Sequence, residues 1–132
     1  MKRILCIKNP IAGRRHIKLD KGFIERHFPV DTEIEFVVTQ APGEASLITE
    51  QQLNDFDIFI AIGGDGTVNE VGKVLIGTDK VLGIIPAGSG NGLARELGMN
   101  MSLHSAAKQL AEFNITSIDT ISVNSCPSLN VA

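Results

Sequence analysis

The stretch IFIAIGGDGTVNEVGKVL, residues 58–75, contains the pattern that decides the fold. Its first five residues are all apolar, which is typical of a strand covered on both faces. The glycine-rich segment GGDGT (residues 63–67) follows directly, and Val68, Val71 and Leu75 then repeat at helical spacing. The stretch therefore predicts a buried strand, a tight turn and a helix that starts near Thr67.

Strand and helix patterns alternate on both sides of this stretch. Apolar, β-branched runs predict strands at residues 4–7, 34–39 and 81–85. Helical spacing of apolar residues predicts helices around residues 17–28, 44–53, 93–97 and 103–110, although Gly22 weakens the first of them. Two further strands, at residues 120–124 and 128–131, are predicted around a Ser-Cys-Pro turn.

This alternation indicates the α/β class. Right-handed βαβ crossovers produce a parallel sheet, so we predict a three-layer, Rossmann-like domain with helices on both faces of the sheet. Ligands of such sheets bind at the carboxyl ends of the strands. Candidate binding residues are therefore sought in the loops that follow the strands.

Composition and charge exclude several classes of protein. The chain has 132 residues, enough for one domain with its own core, and a formal charge of −3. A general nucleic-acid binder would need a basic surface, so nucleic acid is not an expected partner. Cys6 and Cys126 lack metal-ligand spacing and suggest a reducing compartment. No apolar run reaches the roughly 20 residues of a membrane span, which predicts a cytoplasmic protein.

The GGDGT segment is the strongest candidate for a phosphate-binding loop. Its three glycines let the backbone turn tightly and approach a ligand, and the following helix would direct unpaired N–H groups at an anion. Asp65 could hold Mg²⁺ or orient an attacking hydroxyl, and Thr67 could donate to a phosphate oxygen. The alternative is a plain strand-to-helix turn in which Asp65 or Thr67 caps the helix.

Two other polar loops follow predicted strands. The segment PAGSGNG (residues 86–92) offers Ser89 and Asn91 as donors, and the segment NPIAG (residues 9–13) is a weaker third candidate. Neither loop, nor GGDGT, fits the Walker pattern G-x-x-x-x-G-K-[ST], and no G-x-G-x-x-G follows the first strand. Three loops at three strand ends predict a polyphosphate site of another type.

Four ordered segments make the chain resemble the catalytic-domain family of diacylglycerol kinases, sphingosine kinases and related bacterial lipid kinases. They are N-P-x-x-G at residues 9–13, Thr39 followed by G-E-A at 43–45, GGDGT followed by N-E at 69–70, and P-x-G-S-G-N at 86–91 continuing to L-A-R at 93–95. GGDGT alone is shared with NAD kinases and phosphofructokinases, so a relative of those enzymes is the alternative, followed by a module that binds nucleotide without catalysis.

The resemblance implies a nucleotide-binding lobe like that of NAD kinases and phosphofructokinases, with ATP lying across the strand ends. It implies that ATP and Mg²⁺ are bound and that the γ-phosphoryl group moves to a lipid hydroxyl. Asp65 is the implied catalytic residue and the implied Mg²⁺ ligand. The implied nucleotide-binding residues are Asn9, Pro10, Ile11, Ala12, Gly13, Thr39, Gly63, Gly64, Asp65, Gly66, Thr67, Val68, Asn69, Glu70, Gly88, Ser89, Gly90 and Asn91.

The resemblance also leads to expectations about the acceptor lipid, the second lobe of the family and the partners of the protein. Gly92 is closer to the sphingosine-kinase pattern, so diacylglycerol and a sphingoid base both remain open as acceptors. The family carries a second, β-rich lobe. Residues 130–132 resemble the first residues of that lobe. We therefore expect a nucleotide-binding domain at residues 1–120, the start of a missing lobe at 121–132, and no activity from this chain alone. The resemblance allows peripheral contact with the inner membrane surface for the full-length protein, and an exposed sheet edge could favour a homodimer.

Overall fold

The protein is described by a computed structural model that covers residues 2–10, 19–86, 116–119 and 128–131. The strands of these ranges are β1 (Arg3–Lys8), β2 (Glu33–Val38), β3 (Ile58–Gly63), β4 (Val81–Pro86), β5 (Thr116–Asp119) and β6 (Ser128–Val131). The helices are α1 (Lys21–Glu25), α2 (Glu44–Gln51) and α3 (Asp65–Leu75).

The strands form one sheet in the order β2-β1-β3-β4-β6-β5. The first five strands of this order pair in parallel, with Cys6 opposite both Phe36 of β2 and Ile60 of β3. Only the β5–β6 pair is antiparallel within the described ranges. The predicted α/β class and the parallel arrangement of the central strands are confirmed, and the antiparallel β5–β6 pair lies at one edge of the sheet.

Helices cover both faces of the sheet because the chain reverses direction along it. The β1-α1-β2 connection moves towards one edge, whereas β2-α2-β3 and β3-α3-β4 move towards the other. With right-handed crossovers, α1 therefore lies on one face while α2 and α3 share the opposite face. Direct contacts between α2 and α3 agree with this placement.

The core lies between these layers and is built mainly from β1, β3 and β4. The residues of β3 and β4 are buried along their whole length, as the continuous apolar runs predicted. Val68, Val71 and Leu75 place the apolar face of α3 against the sheet. Cys6 is also fully buried, and this burial raises the pKa of its thiol, so it packs as a neutral apolar group.

Most predicted elements differ from the observed ones by one or two residues. The clear corrections are α3, which starts at Asp65 instead of Thr67, and α1, which is five residues long. The strand that pairs with β6 precedes the predicted 120–124 segment, which lies outside the described residues together with the predicted helices at 93–97 and 103–110. β6 pairs with β4 in the same sheet. The predicted domain boundary at residue 120 stays a prediction.

The start of α1 is held by a side-chain cap. The Asp20 carboxylate accepts a hydrogen bond of 2.9 Å from the Phe23 N–H and so satisfies one of the unpaired donors of the first turn. We expect Asp20→Ala to lower the free energy of unfolding by about 1 kcal/mol, because Ala cannot accept this bond. Urea unfolding measures the change, and Asp20→Asn is the control because its amide oxygen retains the acceptor. Equal losses in both variants would contradict the assignment.

Candidate functional site

A cavity opens where the direction of the chain reverses across the sheet. β1 and β3 are neighbours whose following connections lead to opposite edges, and such a switch point is where open α/β sheets bind ligands. The cavity has a volume of about 280 Å³, near the lower end of the usual range for ligand sites. Its lining residues are Asn9, Pro10, Thr39, Gln40, Ala41, Pro42, Ala45, Gly66, Thr67 and Glu70.

The ends of β1 and β3 meet closely at the base of this cavity. The Asn9 N–H donates to the Ile62 carbonyl at 3.0 Å, which extends the pairing of the two strands by one residue. A Cβ atom at Gly63 would lie 2.8 Å from Thr67 Oγ1 and 3.3 Å from Asn9 Cβ. Gly63 therefore lets the two loops approach each other, and it serves the packing of the site from behind the cavity.

The first turn of α3 presents its backbone to the cavity. Gly64 is the N-cap, in an extended conformation, and no side chain within the described ranges caps the helix. The alternative in which Asp65 or Thr67 caps α3 is therefore wrong, because both residues already lie inside the helix. The N–H groups of a first turn have no intrahelical acceptor and carry the positive end of the helix dipole. Gly66 and Thr67 line the cavity at this end.

The loop between β2 and α2 forms the opposite wall. Thr39 is buried and is tied to the end of β1, since its N–H donates to the Lys8 carbonyl at 2.9 Å. The Gln40 N–H donates to Glu44 Oε2 at 3.3 Å, which draws the loop towards the first turn of α2. Gly43 caps α2 with φ at 86°, a left-handed conformation that favours glycine.

Glu70, in the second turn of α3, also lines the cavity. The residue is partly buried, and its Oε1 atom is buried without a hydrogen-bond partner among the described residues. The backbone carbonyl of the same residue accepts a hydrogen bond of 2.9 Å from Ser46 Oγ on α2. A buried carboxylate oxygen without a donor is costly, and the part of the Glu70 side chain that lines the cavity is the part that can contact a ligand.

Asp65 is exposed at the start of α3. Its position in the first turn is favourable for a negative charge, and its carboxylate makes no hydrogen bond or ion pair to the described residues. No group of three His, Cys, Asp or Glu side chains among those residues is placed to hold a metal ion. A single carboxylate fits Mg²⁺ only as it is held beside a nucleotide, where phosphate oxygens and water supply the other ligands.

The structure brings together six of the predicted nucleotide-binding residues at the cavity: Asn9, Pro10, Thr39, Gly66, Thr67 and Glu70. Five others lie nearby without lining it: Gly63 and Val68 are buried behind it, Gly64 caps α3, and Asp65 and Asn69 are exposed on that helix. The remaining predictions fall outside the described residues: Ile11, Ala12, Gly13, Gly88, Ser89, Gly90 and Asn91.

The sequence-based prediction missed four lining residues, Gln40, Ala41, Pro42 and Ala45. The first three follow the carboxyl end of β2 and lead into Gly43, so they form a fourth glycine-bearing loop at a strand end. The rule that identified the other loops would have found this one as well.

Within the described ranges, no helix is long and apolar enough to cross a membrane. This finding covers α1, α2 and α3, the longest of which has eleven residues.

Comparisons with known proteins agree on one family. The sequence model of the diacylglycerol kinase catalytic domain matches residues 3–123. A diacylglycerol kinase of Bacillus subtilis (strain 168) is 39% identical over 103 residues, which are 75% of this chain and 34% of the relative. A diacylglycerol kinase of Staphylococcus aureus (strain MRSA252) is 31% identical over 136 residues, which are 99% of this chain and 43% of the relative.

The fold is similar to a solved structure of the same kind. A crystal structure of a diacylglycerol kinase from Bacillus anthracis str. Sterne superposes with a TM-score of 0.74 at 26% identity, over 89% of this chain and 44% of the other. The chain thus spans less than half the length of the relatives it matches. The ordered motifs, the fold and the family match lead to one conclusion: the chain belongs to the diacylglycerol kinase catalytic domain family.

Proposed function

We propose that this chain is the ATP-binding lobe of a lipid kinase, which transfers the γ-phosphoryl group of ATP to the hydroxyl of diacylglycerol or a sphingoid base. One observation carries the proposal: the first turn of α3, which no described side chain caps, lines the cavity at the switch point of the sheet. Unpaired N–H groups at the positive end of a helix bind phosphate without any charged side chain. Gly66 leaves this backbone open, because a Cβ atom there would meet nothing within 4 Å.

The charges along α3 support one orientation of the nucleotide. Gly66 and Glu70 are four residues apart, so they lie on the same face of the helix, about 6 Å apart along its axis. The amide-rich first turn favours the anionic phosphates, whereas the Glu70 carboxylate would repel them. Glu70 is therefore assigned to a hydrogen-bond donor of the ribose or the base, which leaves the phosphate chain against the residues Gly64 to Thr67.

Asp65 is assigned to the reacting end of the nucleotide. In this orientation the γ-phosphoryl group lies beside the exposed carboxylate, where bound Mg²⁺ would offset the repulsion between them. The carboxylate can orient the attacking lipid hydroxyl or accept its proton. Mg²⁺, when bound with ATP, offsets negative charge on the phosphates. Both the acceptor hydroxyl and the complete metal coordination are proposals for the whole protein, since the relatives named as diacylglycerol kinases are much longer chains.

We expect ATP with Mg²⁺ to stabilise this chain by binding its folded state. At ten times the dissociation constant, the free energy of unfolding should rise by about 1.4 kcal/mol. Thermal unfolding across a series of ATP concentrations measures the effect, with AMP as the control that lacks the β- and γ-phosphates. By itself the chain should transfer no detectable radioactive phosphate to diacylglycerol or a sphingoid base.

Three outcomes would contradict this proposal. A melting temperature that is independent of the ATP concentration would show that the chain has no nucleotide site. Normal turnover of a lipid by this chain would show that its 132 residues are sufficient for catalysis. Formation of NADP from NAD and ATP would instead support a relative of NAD kinases, which share the GGDGT segment.

A further inference from the structure

The hydrogen bond between Ser46 and Glu70 lies directly behind the cavity. Ser46 is buried on α2 with 9% of its surface exposed, and its Oγ donates to the Glu70 carbonyl at 2.9 Å. Glu70 and Ala45, the neighbour of Ser46, both line the cavity. The bond therefore joins the two helices that contribute Ala45 and Glu70 to the lining of the cavity.

This contact fixes the position of α3 along its own axis relative to α2. Apolar contacts between helices are non-directional and tolerate small sliding movements, whereas a hydrogen bond requires a fixed distance and angle. A carbonyl oxygen has two lone pairs, so the Glu70 carbonyl can accept from Ser46 while it remains in the backbone ladder of α3. The serine hydroxyl thus fixes one particular residue of α3 in position.

The residue that is fixed is the one with the unpartnered carboxylate oxygen. Glu70 Oε1 is buried in the wall and has no hydrogen-bond partner within the described ranges. No described side chain forms a hydrogen bond with this atom, so the position of the Glu70 backbone sets how far along α3 the carboxylate can lie. The backbone of Glu70 is in turn held by Ser46.

We propose that Ser46 is a positioning residue for nucleotide binding, which holds the Glu70 carboxylate at the height where it meets the ligand. This inference rests on the proposed function, because the ligand is taken to be ATP. Ser46 contacts no ligand atom and acts only through Glu70. Through this contact, a residue of α2 affects the ATP affinity of a site whose phosphate-binding end lies on α3.

The central test compares ATP affinity in a double-mutant cycle. Ser46→Ala removes one oxygen atom and should raise the dissociation constant for Mg²⁺·ATP roughly three- to tenfold, the scale of one lost hydrogen bond. In a Glu70→Ala background no carboxylate is left to position, so Ser46→Ala should then change the affinity by less than about twofold. Titration calorimetry of this chain measures all four dissociation constants, and Ser46→Thr, which keeps the hydroxyl, should restore most of the affinity.

Thr49→Val is the matched control on the same helix. Thr49 is fully buried, and its Oγ1 donates at 2.7 Å to the Ala45 carbonyl within α2, so its loss removes a buried hydroxyl without affecting the contact with α3. We expect Thr49→Val to leave the ATP affinity within about twofold. Urea unfolding of each variant reports whether a lower affinity merely follows a lower stability.

The possible results separate this inference from the proposed function. If the unsubstituted chain binds no ATP, both fail. If it binds ATP but Ser46→Ala binds equally well, or loses the same factor in the Glu70→Ala background, only the positioning role of Ser46 is overturned. An equal loss in Thr49→Val would likewise assign the effect to the stability of α2.

Discussion

Gly63→Ala is expected to destabilise the chain by about 2–3 kcal/mol and to weaken ATP binding at the same time. The added Cβ would lie 2.8 Å from Thr67 Oγ1, closer than real Cβ atoms approach other atoms, and 3.1 Å from Thr67 Cβ, closer than most such contacts. It would also lie 3.3 Å from Asn9 Cβ, so Gly63 cannot shift away from Thr67 towards Asn9 without crowding the end of β1. Thr67 and Asn9 both line the cavity, and their displacement would distort the site.

Urea unfolding measures the stability change, and calorimetry measures the ATP affinity. A Thr67→Ala background supplies the control, because it removes the hydroxyl that the new methyl group approaches most closely. The Gly63→Ala penalty should therefore be smaller in that background. If Gly63→Ala leaves the free energy of unfolding within about 0.5 kcal/mol of the original, the close packing of β3 against α3 is incorrect.

Gly66→Ala should stabilise the fold, in contrast to Gly63→Ala, and should strongly weaken ATP binding. A Cβ atom at this position would meet nothing within 4 Å, and the residue lies inside a helix, where Ala is favoured over Gly. The chain should become more stable by about 0.5 kcal/mol. The same methyl group would lie where the phosphate chain must approach the backbone. ATP should therefore bind roughly thirtyfold more weakly, because a crowded contact of this kind costs about 2 kcal/mol.

The two glycine variants form a matched pair within one segment. Gly63 is required by the fold and Gly66 by the ligand, so only Gly66→Ala should separate stability from affinity. Calorimetry with ATP and with AMP should show the larger loss for ATP, because AMP places fewer phosphate oxygens near the helix. Undiminished ATP affinity in Gly66→Ala would show that the phosphates do not lie against the first turn of α3.

The sequence was most informative where burial on both faces leaves a continuous apolar run. β3 and β4 were predicted to within one residue. A strand covered on both faces is apolar throughout, so its ends coincide with the ends of the apolar run. The start of α3 was placed two residues late, since Thr67 is a common N-cap residue, whereas Gly64 caps the helix here without a side chain. In α1 the apolar spacing suggested a longer helix than the five residues observed.

Local sequence also identified the candidate site, but it could not rank the residues within it. The rule that ligands meet glycine-bearing loops at strand ends predicted Asn9 and GGDGT, the family resemblance added Thr39, and the cavity contains residues from all three. The rule could not tell that Gly63 serves packing while Gly66 lies open. That difference depends on which neighbours surround each Cα atom, and these neighbours come from β1, β3 and α3 together.

The sequence by itself therefore determined the α/β class, the loops that carry the site and the family of the chain, because periodicity, glycine spacing and motif order are local properties. Only the tertiary structure decided that the β2–α2 loop forms a wall of the cavity, that Glu70 Oε1 is buried without a partner, and that Ser46 holds the Glu70 backbone. Ser46 and Glu70 are 24 positions apart, and only the packing of α2 against α3 brings them within hydrogen-bond distance.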